Sequence, residues 1–159
     1  MLGNSDDMSR YAKFAAATYK PVITEMDAKS GLLDLRLQNH RLMTALNNIT
    51  QGVCFFDGEH RLVLANRRYA EIYDLPLECI EPGTSLAEIA THRFTAGSFP
   101  VGMSLEQYLD WRADIQQEGA PSDTVVKLKN GRSILIRRRP MPDQGWVSTH
   151  EDITDRASA

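Results

Sequence analysis

The side chains best able to carry out chemistry are scattered along this sequence rather than grouped. The histidines and cysteines are His40, Cys54, His60, Cys79, His92 and His150. The histidines have no cysteine or carboxylate neighbour at the spacing of metal sites, and neither an HExxH nor a CxxC motif occurs. No glycine-rich loop leads from a strand into a helix, so a phosphate cradle is not predicted. The sequence therefore predicts no metal site and no catalytic residues.

A second set of residues has the size and shape to enclose a small molecule. These residues are Phe55, Tyr69, Tyr73, Ile89, His92, Phe94 and Trp111. They can line a pocket, or they can fill it as an ordinary core, which is the commoner use of aromatic residues in a domain of this size. Both interpretations stay open. Cys54, within an apolar run, is expected to pack as a small hydrophobic residue.

The most basic stretch is the run Arg137, Arg138 and Arg139. Successive side chains of a strand point to opposite faces, so Arg138 is separated from its two neighbours. We expect ion pairs with Glu151 or Asp152 on the adjacent final strand, in preference to binding of an anion.

Composition and charge are those of a globular protein. The chain has 159 residues, of which 42% are hydrophobic and 25% charged, and its net charge is −3. Nucleic-acid binders usually carry a basic excess, and the apolar runs here are too short to span a membrane, so we expect neither partner. The start lacks the basic and apolar regions of a signal peptide, and the two cysteines suggest no disulfide. We therefore expect a cytoplasmic protein.

The secondary structure that must position these residues changes near residue 52, from predicted helix to predicted strands. Residues 8–50 read as helical, with interruptions at Pro21 and at Ser30-Gly31. In the last helical piece, a heptad stripe recurs at steps of three and four, consisting of Leu32, Leu35, Asn39, Leu42, Leu46 and Ile49. The heptad stripe predicts either a short dimeric coiled coil, in which an asparagine fixes the register, or an amphipathic helix packed on its own domain.

From Gly52 onward the pattern is that of strands joined by tight turns. Strands are predicted over 53–57, 61–65, 124–129, 132–139 and 146–153, and helices over 67–73, 85–93 and 105–117. Asp57-Gly58 and Asn130-Gly131 are hairpin turn signals. Two strands, several short helices and three more strands pack most simply as a five-stranded antiparallel sheet with helices on one face, an α+β fold.

Two stretches at the ends of this pattern resemble the PAS family. The first stretch resembles the opening of a PAS domain, with a lead-in helix, a hairpin and an asparagine that ends the second strand; it reads NNITQGVCFFDGEHRLVLANRRYAEIYDLP. The closing hairpin looks like LKNGRSILIRRRPMPDQGWVSTHEDIT, which ends in the motif Asp152-Ile153-Thr154. The resemblance covers residues 45–156 and is nearest to the subgroup found in bacterial sensor histidine kinases and diguanylate cyclase or phosphodiesterase proteins.

The resemblance implies a sensory module rather than an enzyme. It divides the chain into a helical extension over 1–44, a sensor domain over 45–156 and the start of a connector over 157–159. The connector would lead to an output domain of kinase or GGDEF/EAL type outside this chain. Helices that flank PAS domains commonly pair two subunits, so the heptad stripe implies a homodimer. The resemblance implies signal transmission through Trp146, Glu151, Asp152, Ile153 and Thr154.

Members of the PAS family hold haem, flavin or a metabolite, or fill the cavity with side chains. Flavin-linking members carry a reactive cysteine in an Asn-Cys-Arg-Phe-like helix, and the surroundings of Cys79 lack this pattern. Haem-binding members use a histidine beside the cavity, where His92 is the candidate, but its neighbours Thr91 and Arg93 are polar. We expect no cofactor. The alternatives are a module that binds a small metabolite, haem or flavin, and a stand-alone protein–protein interaction domain.

Overall fold

The computed structural model describes residues 25–158, with side chains through residue 156. The chain divides into two compact units, residues 1–42 and 43–159, which are described separately below. Within the described residues, no helix has the length and apolar character needed to cross a membrane.

The first helix, α1, spans Glu25–Asn47 and continues through Ser30 and Gly31 without a break. The predicted interruption at these residues is therefore wrong, because an internal glycine costs a helix only about 1 kcal/mol. The other predicted helical piece, over 8–24, lies outside the described residues. All residues of α1 in the first unit, 25–42, are exposed. Ile49 lies beyond the end of α1, so the helix contains the heptad stripe only as far as Leu46.

The second unit is built on a five-stranded antiparallel sheet with the order β2-β1-β5-β4-β3. The strands are β1 (Gly52–Phe56), β2 (Leu62–Ala65), β3 (Ser122–Lys127), β4 (Ser133–Pro140) and β5 (Trp146–Asp152). β5 lies at the centre, between β1 and β4. This arrangement, with its accompanying helices, confirms the predicted α+β fold.

Three helices of the second unit begin after residues whose side chains cap free N–H groups, namely Asn66, Ser85 and Ser104. The helices of this unit are α2 (Arg67–Ile72), a short 3-10 helix (Leu77–Ile80), α3 (Leu86–Ala96), α4 (Leu105–Glu118) and α5 (Thr154–Ser158). Ser85 accepts a hydrogen bond from the backbone N–H of Glu88. Ser104 and Gln107 form a reciprocal capping box at the start of α4.

The core lies between the sheet and these helices. Its most deeply buried apolar members are Phe56, Leu62, Ile72, Tyr73, Ile89, Leu128 and Ile134. A smaller cluster joins Ala90, Phe99 and Tyr108. The buried set also includes several polar side chains, and these define the candidate site.

Candidate functional site

Strand β5 carries a row of alternating side chains that connects the features of the site. Trp146, Ser148 and His150 are buried, and Asp152 follows at the end of the strand. Because alternate residues of a strand face the same side, these four side chains form one row along the centre of the sheet.

The middle of this row belongs to a buried chain of polar groups. Tyr73 Oη lies 2.6 Å from Nδ1 of His150, and Nε2 of His150 lies 2.9 Å from Ser148 Oγ. Ser148 Oγ in turn lies 3.0 Å from Cys54 Sγ. Burial lowers the pKa of His150 well below its usual value, and nearby guanidinium groups, with Arg93 first among them, add to this. His150 is therefore neutral at pH 7.

This series of hydrogen-bonded side chains brings together a thiol, a hydroxyl and an imidazole, but its surroundings do not favour nucleophilic chemistry. Burial raises the pKa of the Cys54 thiol, so the reactive thiolate is disfavoured. Cys54 is only 2% exposed, which leaves a substrate no access to its sulfur. The group acts as a hydrogen-bonded connection between β1, α2 and β5.

Next to these hydrogen-bonded side chains lies a guanidinium cluster, which consists of Arg93, Arg112 and Arg138, all buried. Tyr108 Oη accepts hydrogen bonds from Arg93 Nη1 (3.0 Å) and from Arg112 Nη1 (2.9 Å). Within residues 25–156, no ion pair joins any of the three arginines to a carboxylate. Aromatic faces partly take the place of a carboxylate partner, since Arg93 Cζ lies 3.9 Å from the centre of the Tyr73 ring.

The guanidinium cluster changes the acidity of its own neighbourhood. Burial by itself would raise the pKa of Tyr108, but the charges of Arg112 and Arg93 outweigh it and lower that pKa. Burial lowers the pKa of Arg138 to about 10, and the like charge of Arg112 contributes to the decrease. The lowered pKa of Tyr108, and the contribution of Arg112 to the lowered pKa of Arg138, reflect an excess of positive charge, so a negative group here would be stabilised.

A cleft of about 500 Å³ opens beside the guanidinium cluster. Helix α4 supplies Arg112 and Ile115, and much of the remaining wall comes from residues 140–146, which run from the end of β4 to the start of β5. Gln116 lies at one edge of the cleft, where its Nε2 donates to the carbonyl oxygens of Gly58 (3.0 Å) and Gln144 (2.9 Å). Trp146, the first residue of β5, also lines the cleft, so the row of side chains on β5 starts there.

At the other end of β5, three residues form a hinge into α5: Asp152, Ile153 and Thr154. Asp152 Oδ1 accepts hydrogen bonds from the Thr154 backbone N–H (3.0 Å) and from its hydroxyl. Ser133 on β4 completes the hinge, since its N–H donates to Thr154 Oγ1 (3.1 Å) and its carbonyl accepts from Ile153 N–H (2.9 Å). Burial would raise the pKa of Asp152, but the two hydrogen bonds from Thr154 outweigh it and lower that pKa.

The residues predicted to transmit a signal are all on β5 or in the hinge. Asp152, Ile153 and Thr154 are brought together, and Glu151 pairs with Arg156 of α5 at 2.5 Å. Trp146 lies at the opposite end of the strand.

The residues predicted to line a pocket are divided among several environments. Tyr69, Tyr73 and Ile89 are buried in the core. Phe55 faces the side of β1 opposite to the buried Cys54 and Phe56. His92 and Phe94 are exposed on α3, and Trp111 packs against the smaller cluster. None of the seven is among the residues that line the cleft.

The expected pairing of the basic run with the last strand is wrong. The β4–β5 register places Arg137 opposite Thr149 and Arg138 opposite Ser148, so both lie away from Glu151 and Asp152. Arg139 instead pairs with Asp123 on β3, at 2.9 Å.

The burial of Arg93 and Arg112 was not predicted from the sequence. Arg112 stands on a helix face with Tyr108 and Ile115, where an apolar residue would be usual. Arg93 occupies the same kind of position, one turn after the buried Ile89 and Ala90. A charged residue at a position where the helical pattern calls for an apolar one was the sequence signal that indicated this burial.

Comparison with known proteins gives the family. Residues 46–159 match the model of the PAS fold family, PAS_7. The Non-motile and phage-resistance protein of Caulobacter vibrioides is 29% identical over 115 residues, which cover 72% of this chain. The same residues span only 12% of that longer protein.

Solved structures share the fold at low sequence identity. The PAS domain of an HTR-like protein from Haloarcula marismortui is 14% identical with a TM-score of 0.51, covering 79% of this chain and 99% of that one. The PAS domain of BvgS from Bordetella pertussis is 17% identical with a TM-score of 0.52, covering 76% and 90%. The E. coli DhaR(N)–DhaL complex gives a TM-score of 0.53 at 14% identity, covering 79% and 38%. Together with the family match, the sheet order and the hinge, this places the chain in the PAS fold family.

Proposed function

We propose that this chain is the input and dimerisation module of a cytoplasmic bacterial signalling protein, whose output region is a histidine kinase or a cyclic-di-GMP enzyme. The observation that carries the proposal is the hinge, because Asp152 and Thr154 hold the first turn of α5 against β4. In the Caulobacter relative, the matching residues are a small part of a longer chain, which fits a module of this kind.

In the proposed mechanism, a change at the cleft shifts Trp146 and with it the whole of β5. A strand bonded on both edges moves as a unit, and β5 is bonded to β1 and to β4. The shift changes the position of Asp152 relative to Ser133, and α5 follows through Thr154. In this proposal the enzymatic output belongs to another domain.

The dimer would form through the heptad stripe of α1. Leu35 and Leu42 are 59% and 63% exposed, which is unusual for leucines that repeat at coiled-coil spacing. A second copy of the same helix is the occupant that fits, because Asn39 lies in the same seam and can pair with its counterpart. At 3.6 residues per turn, Leu33 lies on the opposite side of the helix, with Met26 and Leu37.

The dimer is tested by light scattering of the full chain at about 50 micromolar, where an association with a micromolar dissociation constant is nearly complete. We expect a dimer for the natural sequence and a monomer for Leu35→Glu combined with Leu42→Glu. Leu33→Glu is the matched control, since it adds the same charge to the same helix outside the seam, and it should remain dimeric. A monomeric natural chain, or equal dissociation by Leu33→Glu, would contradict the proposal.

A further inference from the structure

Three buried N–H groups, on residues that line the cleft, have no hydrogen-bond partner within the described residues. They are Nη2 of Arg112, Nε of Arg138 and Nε1 of Trp146. The three side chains are 6%, 6% and 4% exposed, and all line the cleft. Buried donors nearly always have an acceptor, because leaving one unpaired is unfavourable. Three unpaired donors beside one cleft indicate that a ligand supplies the acceptor.

The charge around these donors indicates that the acceptor is an anion. Arg112 and Arg138 both lack a carboxylate partner in the part of the chain that the structure describes. Arg112 Cζ lies 5.0 Å from the centre of the Trp146 ring and Arg138 Cζ lies 6.0 Å from it, so both guanidinium groups are grouped around one indole. A carboxylate accepts from several N–H donors at once and offsets the repulsion between the two cations.

The remaining wall of the cleft is mixed, with Gln116, Gln117 and Gln144 among its polar residues, and its apolar part is suited to the body of a ligand. Ile115, Pro140, Met141 and Pro142 form this apolar part, together with Trp146. A volume of about 500 Å³ is typical of small-molecule sites, which run from about 300 to 1,000 Å³. Inorganic phosphate would satisfy the donors but leave most of this wall without contacts.

We propose that the cleft binds an organic carboxylate with an apolar body, and that its carboxylate accepts hydrogen bonds from Arg112, Arg138 and Trp146. That this ligand is the signal of a sensor rests on the proposed function. Binding of the ligand to the cleft does not rest on it, so a titration can fail or succeed independently of the dimer and the hinge.

The first test is calorimetric titration of the full chain with sodium octanoate. We expect one saturable site with a dissociation constant of about 1 mM or lower. Octan-1-ol carries the same body without the charge, and inorganic phosphate carries charge without the body. Each should bind at least about tenfold more weakly than octanoate, the size of effect that one charge-assisted hydrogen bond produces.

Two substitutions on β4 separate the cleft from general electrostatic attraction. Arg138→Met removes the buried guanidinium at similar size and should weaken octanoate binding at least about tenfold. Arg137→Met is the matched control, because Arg137 is exposed on the other face of the same strand. It should bind octanoate within about twofold of the natural chain, as expected for a screened surface charge.

A spectroscopic test follows octanoate binding on the natural chain itself. The chain has two tryptophans, and the indole N–H signal of Trp146 should move on addition of octanoate, while that of Trp111 stays in place. Trp146→Phe assigns the two signals. The proposal is overturned by any of three results: no octanoate binding to the natural chain, equal binding by the Arg138→Met and Arg137→Met variants, or phosphate binding as tightly as octanoate.

Discussion

His150 has partners on both ring nitrogens although it is completely enclosed. Tyr73 and Ser148 provide them, so the neutral ring satisfies its hydrogen bonds without a charge. Protonation would introduce a cation beside Arg93, Arg112 and Arg138, in surroundings that exclude water. The buried polar chain is therefore stable only while His150 remains neutral.

This arrangement predicts a loss of stability in weak acid. The folded pKa of His150 lies below the unfolded value of 6.5, so below pH 6.5 the unfolded chain binds a proton that the folded chain does not. The contribution is complete above that pH and decreases as the pH falls towards the folded pKa, by at most about 1.4 kcal/mol per pH unit. Urea unfolding between about pH 7.5 and pH 5.5 should show this slope.

Two variants assign the slope to its residue. His150→Gln should flatten most of it, although the protein will be less stable at the upper pH. His60→Gln is the control, since burial also lowers the pKa of the partly exposed His60, and this variant should keep most of the slope. An unchanged slope in His150→Gln would assign the pH dependence to other groups.

At the scale of elements, Asn66 joins the end of α1 to the sheet and to α2. Its Oδ1 accepts from the N–H groups of Val53 (2.8 Å) and Tyr69 (3.1 Å). Its Nδ2 donates to the carbonyl oxygens of Leu46 (2.7 Å) and Gln51 (2.9 Å). An asparagine just before a helix is a common cap, which accounts for the bond to Tyr69, but the other three partners depend on how the chain returns to this point.

Asn66→Ala should therefore cost more than the loss of a helix cap. We expect a decrease in the free energy of unfolding of about 3 kcal/mol or more, since four buried or partly buried backbone groups lose a partner. Ser85→Ala removes a cap with a single hydrogen bond and should cost about 1 kcal/mol. Equal losses for the two variants in chemical denaturation would show that the connection to α1 contributes nothing.

For the whole molecule, local signals predicted the fold better than the site. Turn residues such as Asp57-Gly58 and the apolar alternation of the strands are encoded within a few residues, so the order of the elements followed from them. The guanidinium cluster instead brings together Arg93, Arg112 and Arg138 from three separate elements. The β4–β5 register likewise depends on the connection over 141–145. The length of this connection does not determine which residues of β4 lie opposite Glu151, so the partners of the arginine run were not predictable.

The central claim is that β5 couples the cleft to the hinge, and hydrogen exchange of the backbone amides of Ile153 and Thr154 tests it most directly. These amides donate to Ser133 and Asp152, so they report the integrity of the hinge. Trp146→Phe, at the far end of β5, should accelerate their exchange by about tenfold, whereas Trp111→Phe, on α4, should change it by less than about twofold. Unchanged exchange in Trp146→Phe, or equal acceleration by both variants, would contradict the claim.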